Sequence, residues 1–324
     1  MESYLQNLQA QILEALAIGR QAEISKKHFH VQKILFCAMG GSAISGDILR
    51  ALSADTLKIP FIVNRSNSIP KWADKNTLGI FSSYSGSTKE TLDCLQQAIK
   101  RKLKIFIITS NGELRRIAVA KKIPCLQIPD GLPPRCAVGY LTFSLIPIFM
   151  KNKWVSIQER DIKETLSEVH HPPVEEAKQI AKKLFGRSIH IYGLTGPTEV
   201  TALRWRAQLA ENSKTLSSHY VMPEMFHNEV EGWVLPKAII NKSAAVFLED
   251  ESDPIWIRKK RDFVKEMLTK KNAEVVSVIS KGKSLLSRIF SLIYLGDWVS
   301  FQLANLEKID PLEIPNIDLI KKVE

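Results

Sequence analysis

The sequence predicts an α/β protein of two successive domains, each a mostly parallel sheet flanked by helices. Three observations carry this prediction. Short β-branched and apolar runs alternate with helix-length stretches along the whole chain. The first buried run, Ile34-Leu-Phe-Cys-Ala38, empties into a glycine turn that opens a helix, as a βαβ unit begins. The same strand, glycine turn and helix then start again at Ser188. A chain of 324 residues has room for two such cores.

An amphipathic helix around Tyr4 to Ala22 leads the chain, followed by the Ile34–Ala38 strand and Met39-Gly-Gly-Ser-Ala-Ile-Ser-Gly46. Further strands are expected at Phe61 to Val63, Leu78 to Phe81, Lys104 to Ile108 and Pro124 to Ile128. Helices fall at Thr88 to Arg101 and Glu113 to Ala120, and an apolar helix from Ala137 to Met150 closes the half. Polar residues Lys151 to Pro173 read as an inter-domain helix and linker. The second cycle runs from the strand Ser188 to Tyr192 through Gly193-Leu-Thr-Gly196 to a helix from Pro197 to Asn212. Strands at Ala244 to Leu248 and Glu274 to Val278 then alternate with helices at Pro254 to Lys270 and Leu285 to Leu306. The expected domains are residues 1–152 and 153–324.

The most informative stretch follows the strand at Leu78 to Phe81. Ser83-Tyr-Ser-Gly-Ser-Thr88 crowds hydroxyls around one glycine at the start of a helix. Hydroxyls and unpaired backbone N–H groups at a helix N-terminus, aided by the helix dipole, make a phosphate cradle. Gly86 supplies the positive φ and the close backbone approach that such a loop needs. A simpler reading is a capping box of Ser87 and Glu90, and both readings can hold together. Open α/β sheets bind ligands at the carboxyl ends of their strands, so this loop and the turn at Gly40-Gly41-Ser42 can face one crevice.

Composition narrows the function. The 45 basic and 34 acidic residues give a net charge of +11, which suits an anionic partner. The basic residues are scattered over helix faces, as at Lys100-Arg101-Lys102, Arg115-Arg116, Lys182-Lys183 and Lys259-Lys260-Arg261, without interleaved aromatics. Solvated faces account for most of them, so neither nucleic acid nor a membrane is expected as partner. No apolar run reaches the roughly 18 residues of a membrane span. The N-terminal residues lack the order of a signal peptide, which points to the cytoplasm. The four cysteines, Cys37, Cys94, Cys125 and Cys136, form no CxxC pair and are expected as buried thiols. Met39 to Gly46 is not GxGxxG and lacks the acidic residue about 20 positions on, which argues against a nicotinamide cofactor; it is no Walker A loop either.

With Met39-Gly-Gly-Ser-Ala-Ile-Ser-Gly46, Ser83-Tyr-Ser-Gly-Ser-Thr-Lys-Glu-Thr91 and Thr109-Ser-Asn-Gly112 in order, the first half resembles the SIS (sugar isomerase) domain. Gln208-Leu-Ala-Glu-Asn-Ser-Lys214, followed by Met222-Pro-Glu-Met-Phe-His-Asn-Glu229, is similar to the bifunctional phosphoglucose/phosphomannose isomerases, which carry two SIS domains. The resemblance implies a flavodoxin-like three-layer sandwich for each half and a phosphosugar substrate without a cofactor. It implies that Gly41, Ser42, Ser83, Ser85, Ser87 and Thr88 hold the phosphate and lower sugar oxygens, with Lys321 a further ligand contact. Glu211 would be the base that moves the proton between C1 and C2, and Arg135 would lie against the enediolate. His227 would open the sugar ring, reaching the site of a neighbouring subunit in a homodimer.

One departure stands out. Relatives usually read Asp-Pro-Thr-Pro near the C-terminus, where this chain has Asp310-Pro-Leu-Glu313. The Leu312 side chain forms no hydrogen bond, which bears on substrate or water positioning and on the balance of glucose and mannose substrates.

Each implied residue has a quieter explanation. Glu211 can be a surface carboxylate, His227 can cap or pack locally and Arg135 can be a solvent-facing loop cation or an ion-pair partner, while Asn212 and Lys214 can shape a turn. A metal is not expected, although another class of phosphomannose isomerase uses zinc. The seven histidines do not cluster, His28-x-His30 and His170-His171 lie in polar stretches, and no HExxH is present. Two other functions remain open at this point. A non-catalytic phosphosugar sensor needs only the cradle, whereas this chain has Glu211, His227 and Arg135 and no evident effector segment. An isomerase of another phosphosugar is the third reading; an amino-sugar synthase is disfavoured because no amidotransferase segment precedes the pair.

Overall fold

Among the described residues nine strands form two sheets, eight of them from β-branched or apolar runs, and every strand pair is parallel. The computed structural model describes residues 1–22 and 26–323. Two units result, Asn7–Glu159 and Arg160–Glu324, and Met1–Gln6 groups with the second rather than leading the first. The expected leading helix is accordingly interrupted at Asn7, giving α1 (Glu2–Gln6) and α2 (Leu8–Gln21).

In the N-terminal unit, β1 (Lys33–Cys37), α3 (Gly40–Ser53), β2 (Phe61–Asn64), β3 (Thr77–Ser82), α4 (Lys89–Lys100), β4 (Lys104–Thr109), α5 (Gly112–Lys121) and β5 (Cys125–Gln127) follow one another. The strand order is β2-β1-β3-β4-β5, a flavodoxin-like order that reverses between β1 and β3. Strand residues alternate between faces. Leu35, Cys37, Phe81 and Ile107 pack on Cys94, Leu95, Leu114 and Ala118 of α4 and α5. Phe36 turns to the other face, against Gly46 of α3, where a Cβ would lie 2.6 Å from its ring. Two helical layers thus enclose the sheet.

The expected helix from Ala137 to Met150 is broken into α6 (Val138–Phe143) and α7 (Ile146–Lys151). Pro147 has no N–H to offer the Phe143 carbonyl, and Ser144 Oγ donates 2.7 Å to the Tyr140 carbonyl at the break.

The C-terminal unit begins with α8 (Glu159–Glu168) and α9 (Val174–Leu184). It continues through β6 (Ser188–Leu194), α10 (Pro197–Asn212), β7 (Ser217–Met222), the short helices α11 (Glu229–Gly232) and α12 (Lys237–Ile240), and β8 (Ser243–Glu249). Helix α13 (Ile255–Lys270), β9 (Glu274–Ile279), α14 (Leu285–Glu307) and α15 (Pro315–Ile320) complete it. The order β7-β6-β8-β9 repeats the first four strands of the other sheet. Tyr192, Ala245 and Phe247 pack on Val264 and Leu268 of α13. Helices α10 and α14 meet closely, with Trp205 Nε1 donating 2.8 Å to the Leu292 carbonyl over Gly296.

The sequence reading placed no strand at Ser217–Met222. That segment is an edge strand, half-buried with only Met222 fully covered, so its polar residues gave little apolar signal. Of the thiols, Cys37, Cys94 and Cys136 are buried and Cys125 is half-buried, all free. His28 is half-buried rather than exposed, and burial lowers its pKa.

Candidate active site

The order reversal between β1 and β3 puts the loops after both strands at one crevice. All six residues of β3 are buried, so the chain leaves the core at Ser82 and the hydroxyl loop starts at the strand's carboxyl end. Ser42 Oγ accepts 3.1 Å from the Tyr84 N–H, tying the glycine turn to the hydroxyl loop. Within the loop, Ser83 Oγ shares hydrogen bonds of 2.8 Å with Thr88 Oγ1 and 3.4 Å with Ser85 Oγ, and accepts 3.1 Å from Gly86 N. Ser87 is exposed, its N–H donating 3.4 Å to Ser85 Oγ.

Gly86 has φ +70°, and a Cβ there would stand 1.8 Å from the Asn111 carbonyl oxygen. The backbone of the Thr109-Ser-Asn-Gly112 loop therefore lies directly on the cradle, and any side chain at 86 would displace it. The expected capping box is not formed. The N-cap of α4 is Thr88 rather than Ser87, and no side chain caps the helix. Helix α3 likewise starts at Met39 without a side-chain cap. The hydroxyls bond one another, and no side chain caps either helix N-terminus.

Arg135 belongs to the same crevice. A Cβ on Gly41 would meet the Pro134 carbonyl oxygen at 3.1 Å and the Arg135 Cα at 3.3 Å, so a larger residue there would press the two segments apart by a few tenths of an ångström. Arg135 is 4% exposed, which overturns its reading as a solvent-facing cation. Tyr84, which sequence reasoning passed over, holds this segment. Its hydroxyl donates 3.0 Å to the Pro129 carbonyl and accepts 3.0 Å from Leu132 N, fixing the approach to Pro133-Pro134-Arg135. An aromatic residue inside a hydroxyl run was the available signal.

Glu211, His227 and Lys321 lie on the C-terminal unit, so the implied site residues divide between the two units. Glu211 is the penultimate residue of α10 and half-buried. The helix is anchored beneath it. Asp297 of α14, pushed to higher pKa by burial against the pull of Arg204, accepts 3.0 and 2.6 Å from the Arg204 guanidinium and 2.9 Å from Gln208 Nε2. Asn212 Nδ2 donates 2.9 Å to Ser300 Oγ.

Lys214 closes the helix, donating 3.0 Å to the Glu211 carbonyl and 3.3 Å to that of Asn212. It also donates 2.7 Å to the Asp310 carbonyl, so the segment carrying Leu312 is fastened to the end of the helix that bears Glu211. Lys214 thus ties the end of α10 to the following turn, while Asn212 fastens the helix to α14. His227 is exposed at the end of a 3-10 turn, Glu224–His227, just after β7. Lys321 is exposed beyond α15, 3.5 Å from Asp318.

The basic clusters are mostly exposed, but Arg261 is not. It is 3% exposed and paired with Glu249 and Asp253 at 2.8 and 2.5 Å. Adjacency in sequence groups it with Lys259 and Lys260, whereas its side chain is turned to the carboxylates. Among the described residues, no three His, Cys, Asp or Glu side chains group to hold a metal ion, and no helix is long and apolar enough to cross a membrane.

Two parallel sheets, with an uncapped hydroxyl loop at the order reversal of the first, define a protein of the two-SIS-domain, sugar-phosphate isomerase class. Residues 173–323 match the bacterial phospho-glucose isomerase C-terminal SIS domain. The chain is 39% identical to the bifunctional phosphoglucose/phosphomannose isomerase of Caldicellulosiruptor bescii over 97% of its length and 96% of that relative. It is 33% identical to the enzyme of the same name from Aquifex aeolicus, over 93% and 92% of the two chains. A hypothetical protein from Thermus thermophilus, at 15% identity, shares the fold with a TM-score of 0.77 over 98% of this chain and 88% of its own. The chain belongs to the bifunctional phosphoglucose/phosphomannose isomerase family, and it is an isomerase.

Proposed function

We propose that this protein interconverts glucose 6-phosphate, mannose 6-phosphate and fructose 6-phosphate without a metal ion, through a cis-enediol. The observation that carries the substrate class is the hydroxyl loop beside two uncapped helix N-termini, which suits a phosphate. In this reading Gly41, Ser42, Ser83, Ser85, Ser87 and Thr88 seat the phosphate and nearby sugar oxygens, and Lys321 adds a contact.

His227 assists ring opening, serving the site of the partner subunit in a cytoplasmic homodimer; its exposure leaves it accessible for that role. The Glu211 carboxylate takes the proton from C2 of the open aldose and returns it to C1. Electrons from the broken C2–H bond form the C1–C2 double bond as the C1 carbonyl becomes an enediolate oxygen. Base catalysis of this kind supplies about 10²–10⁴-fold. The rest must come from charge stabilisation, and the permanently charged Arg135, held rigidly beside Gly41, fits that demand. Glucose and mannose 6-phosphates differ only at C2, so one base serves both if the enediol presents either face.

The test is to incubate the protein with fructose 6-phosphate and a chelator and to resolve the products. Glucose and mannose 6-phosphates together are expected. Glucose 6-phosphate alone would trace a narrowed specificity to the Leu312 segment; no product in the presence of chelator, restored by a divalent metal, would defeat the metal-free mechanism.

A further inference from the structure

The turn that carries His227 is bound to the sheet by a chain of hydrogen bonds that starts on a core tyrosine. Tyr192 is fully buried near the end of β6, a strand paired on both sides. Its hydroxyl accepts 2.9 Å from Trp233 Nε1 and donates 2.7 Å to Glu229 Oε1. Glu229 lies two residues beyond His227, and its N–H donates 2.6 Å to Asn228 Oδ1. The Asn228 amide in turn donates 3.0 Å to the Tyr220 hydroxyl on β7 and 2.9 Å to Glu224 Oε1 at the start of the turn. Met225, inside the turn, is fully buried in the same core cluster as Tyr192 and Trp233. Asn228 and Glu229 tie the turn to Tyr220 and Tyr192 of the sheet and Asn228 holds Glu224, whereas among the described residues the exposed His227 ring has no hydrogen-bond partner.

A phenylalanine at 192 would fill the same space without a buried hydroxyl to satisfy. Burying a polar group is costly unless it is hydrogen-bonded, and here the phenol both donates and accepts. Burial and the nearby Glu229 carboxylate raise the pKa of Tyr192, which keeps it a proton donor to Glu229.

We propose that Tyr192, through Glu229, is a positioning residue for His227: it fixes the direction in which the 3-10 turn presents the imidazole. This rests on the reading that His227 opens the sugar ring. A misplacement of about 1 Å at a catalytic group costs about 10²-fold in rate, so a small rotation of the turn is enough to matter.

The experiment compares two substrates. Fructose 6-phosphate must open its ring, whereas 5-deoxyfructose 6-phosphate lacks the ring-closing oxygen and enters as the open ketose. Tyr192→Phe is expected to lower kcat on fructose 6-phosphate by about 10²-fold with KM held, and to leave kcat on the 5-deoxy substrate unchanged. Glu229→Leu, at a half-buried position less demanding for folding, should show the same split. Glu229→Gln, which keeps an acceptor for the phenol, should stay near the parent. Equal slowing of both substrates by Tyr192→Phe and Glu229→Leu, or no slowing of either, would overturn the proposal. His227→Ala is the control. If it slows both substrates alike, the ring-opening role falls and the positioning role with it; if it discriminates while the Tyr192 and Glu229 variants do not, only the positioning role falls.

Discussion

The loops after β3 and β8 hold the same place in their sheets, each at the strand next to the order reversal, yet their chemistry is opposite. After β3 come Ser83, Ser85, Ser87 and Thr88; β8 ends in Glu249 and is followed by Asp250, Ser252 and Asp253. The carboxylates are matched internally. Glu249 pairs with Arg261 and Lys265, both at 2.8 Å, Asp253 with Arg261 at 2.5 Å, and Asp250 with Arg288 at 2.8 Å. Two other helix N-termini of the C-terminal unit, those of α10 and α14, take up a carboxylate. Gly196 N donates 3.0 Å to Glu199 at the start of α10, and Lys283 and Ser284 N–H groups donate 2.6 and 2.9 Å to Glu164 at the start of α14. Helices α3, α4 and α13 all start without a side-chain cap, but α3 and α4 start beside neutral hydroxyls, whereas α13 starts beside carboxylates already paired with Arg261, Lys265 and Arg288. Fold position supplies the opportunity for a phosphate site, and residue type decides whether it is taken.

The largest expected effect separates binding from chemistry. Glu211→Gln should lower turnover by about 10²–10⁴-fold and spare phosphosugar affinity measured by calorimetry; loss of affinity with kcat retained would remove Glu211 as the base. Next is the closed ionic cluster. Arg261→Met takes the guanidinium from buried Asp253 and leaves Glu249 to Lys265; it should cost about 3–5 kcal/mol in chemical denaturation, with phosphosugar affinity of the folded fraction unchanged. An affinity loss as large as the stability loss would mean that the acidic loop does handle substrate.

The third effect concerns acid. Burial pushes the Asp250 carboxyl up, but bonds from Ser252 and Ser280 and the charge of Arg288 outweigh it and hold the pKa below the ordinary 3.8. A depressed pKa adds stability that is full above 3.8 and is lost as pH falls through the lower, folded value. Arg288→Met should therefore shrink the stability difference between pH 6 and pH 3 in thermal melts; an unchanged acid limb would separate Arg288 from that linkage.

Gly86→Ala and Gly131→Ala sharpen the comparison from the backbone side. Both glycines have positive φ, +70° and +87°, but a Cβ at 131 meets nothing within 4 Å. Gly131→Ala should cost only the left-handed strain, about 1–2 kcal/mol, with affinity intact. Gly86→Ala adds the collision with Asn111 and should abolish phosphosugar binding; equal effects of the two would show that the close approach at 86 is unimportant to the cradle.

Much of this was legible in the sequence because it rests on local signals. Buried parallel strands read as continuous apolar runs, so eight of the nine strands in the final topology were anticipated within a residue or two of their limits. The hydroxyl loop and Gly86 were visible because they need particular residue types. What escaped depends on distant partners. β7 is polar and gains its order from pairing with β6, and Arg261 is buried only because Glu249 and Asp253 reach it. Ser87 and Glu90 fit a capping box by spacing, but the loop turns one residue later, at Thr88, where Ser83 takes up the hydroxyl. Tyr84, Tyr192 and Asp297 read as core or helix-face residues until their hydrogen bonds are seen.

The central claim is that phosphosugar binds once per chain, at the loop after β3. Titration of the Glu211→Gln protein with fructose 6-phosphate, where turnover is removed, tests it directly. The account predicts one site per chain, with affinity reduced about 10-fold or more by Ser83→Ala combined with Thr88→Val and untouched by Ser252→Ala in the equivalent loop. Two sites per chain, or a loss caused by Ser252→Ala and not by the Ser83 and Thr88 changes, would contradict it.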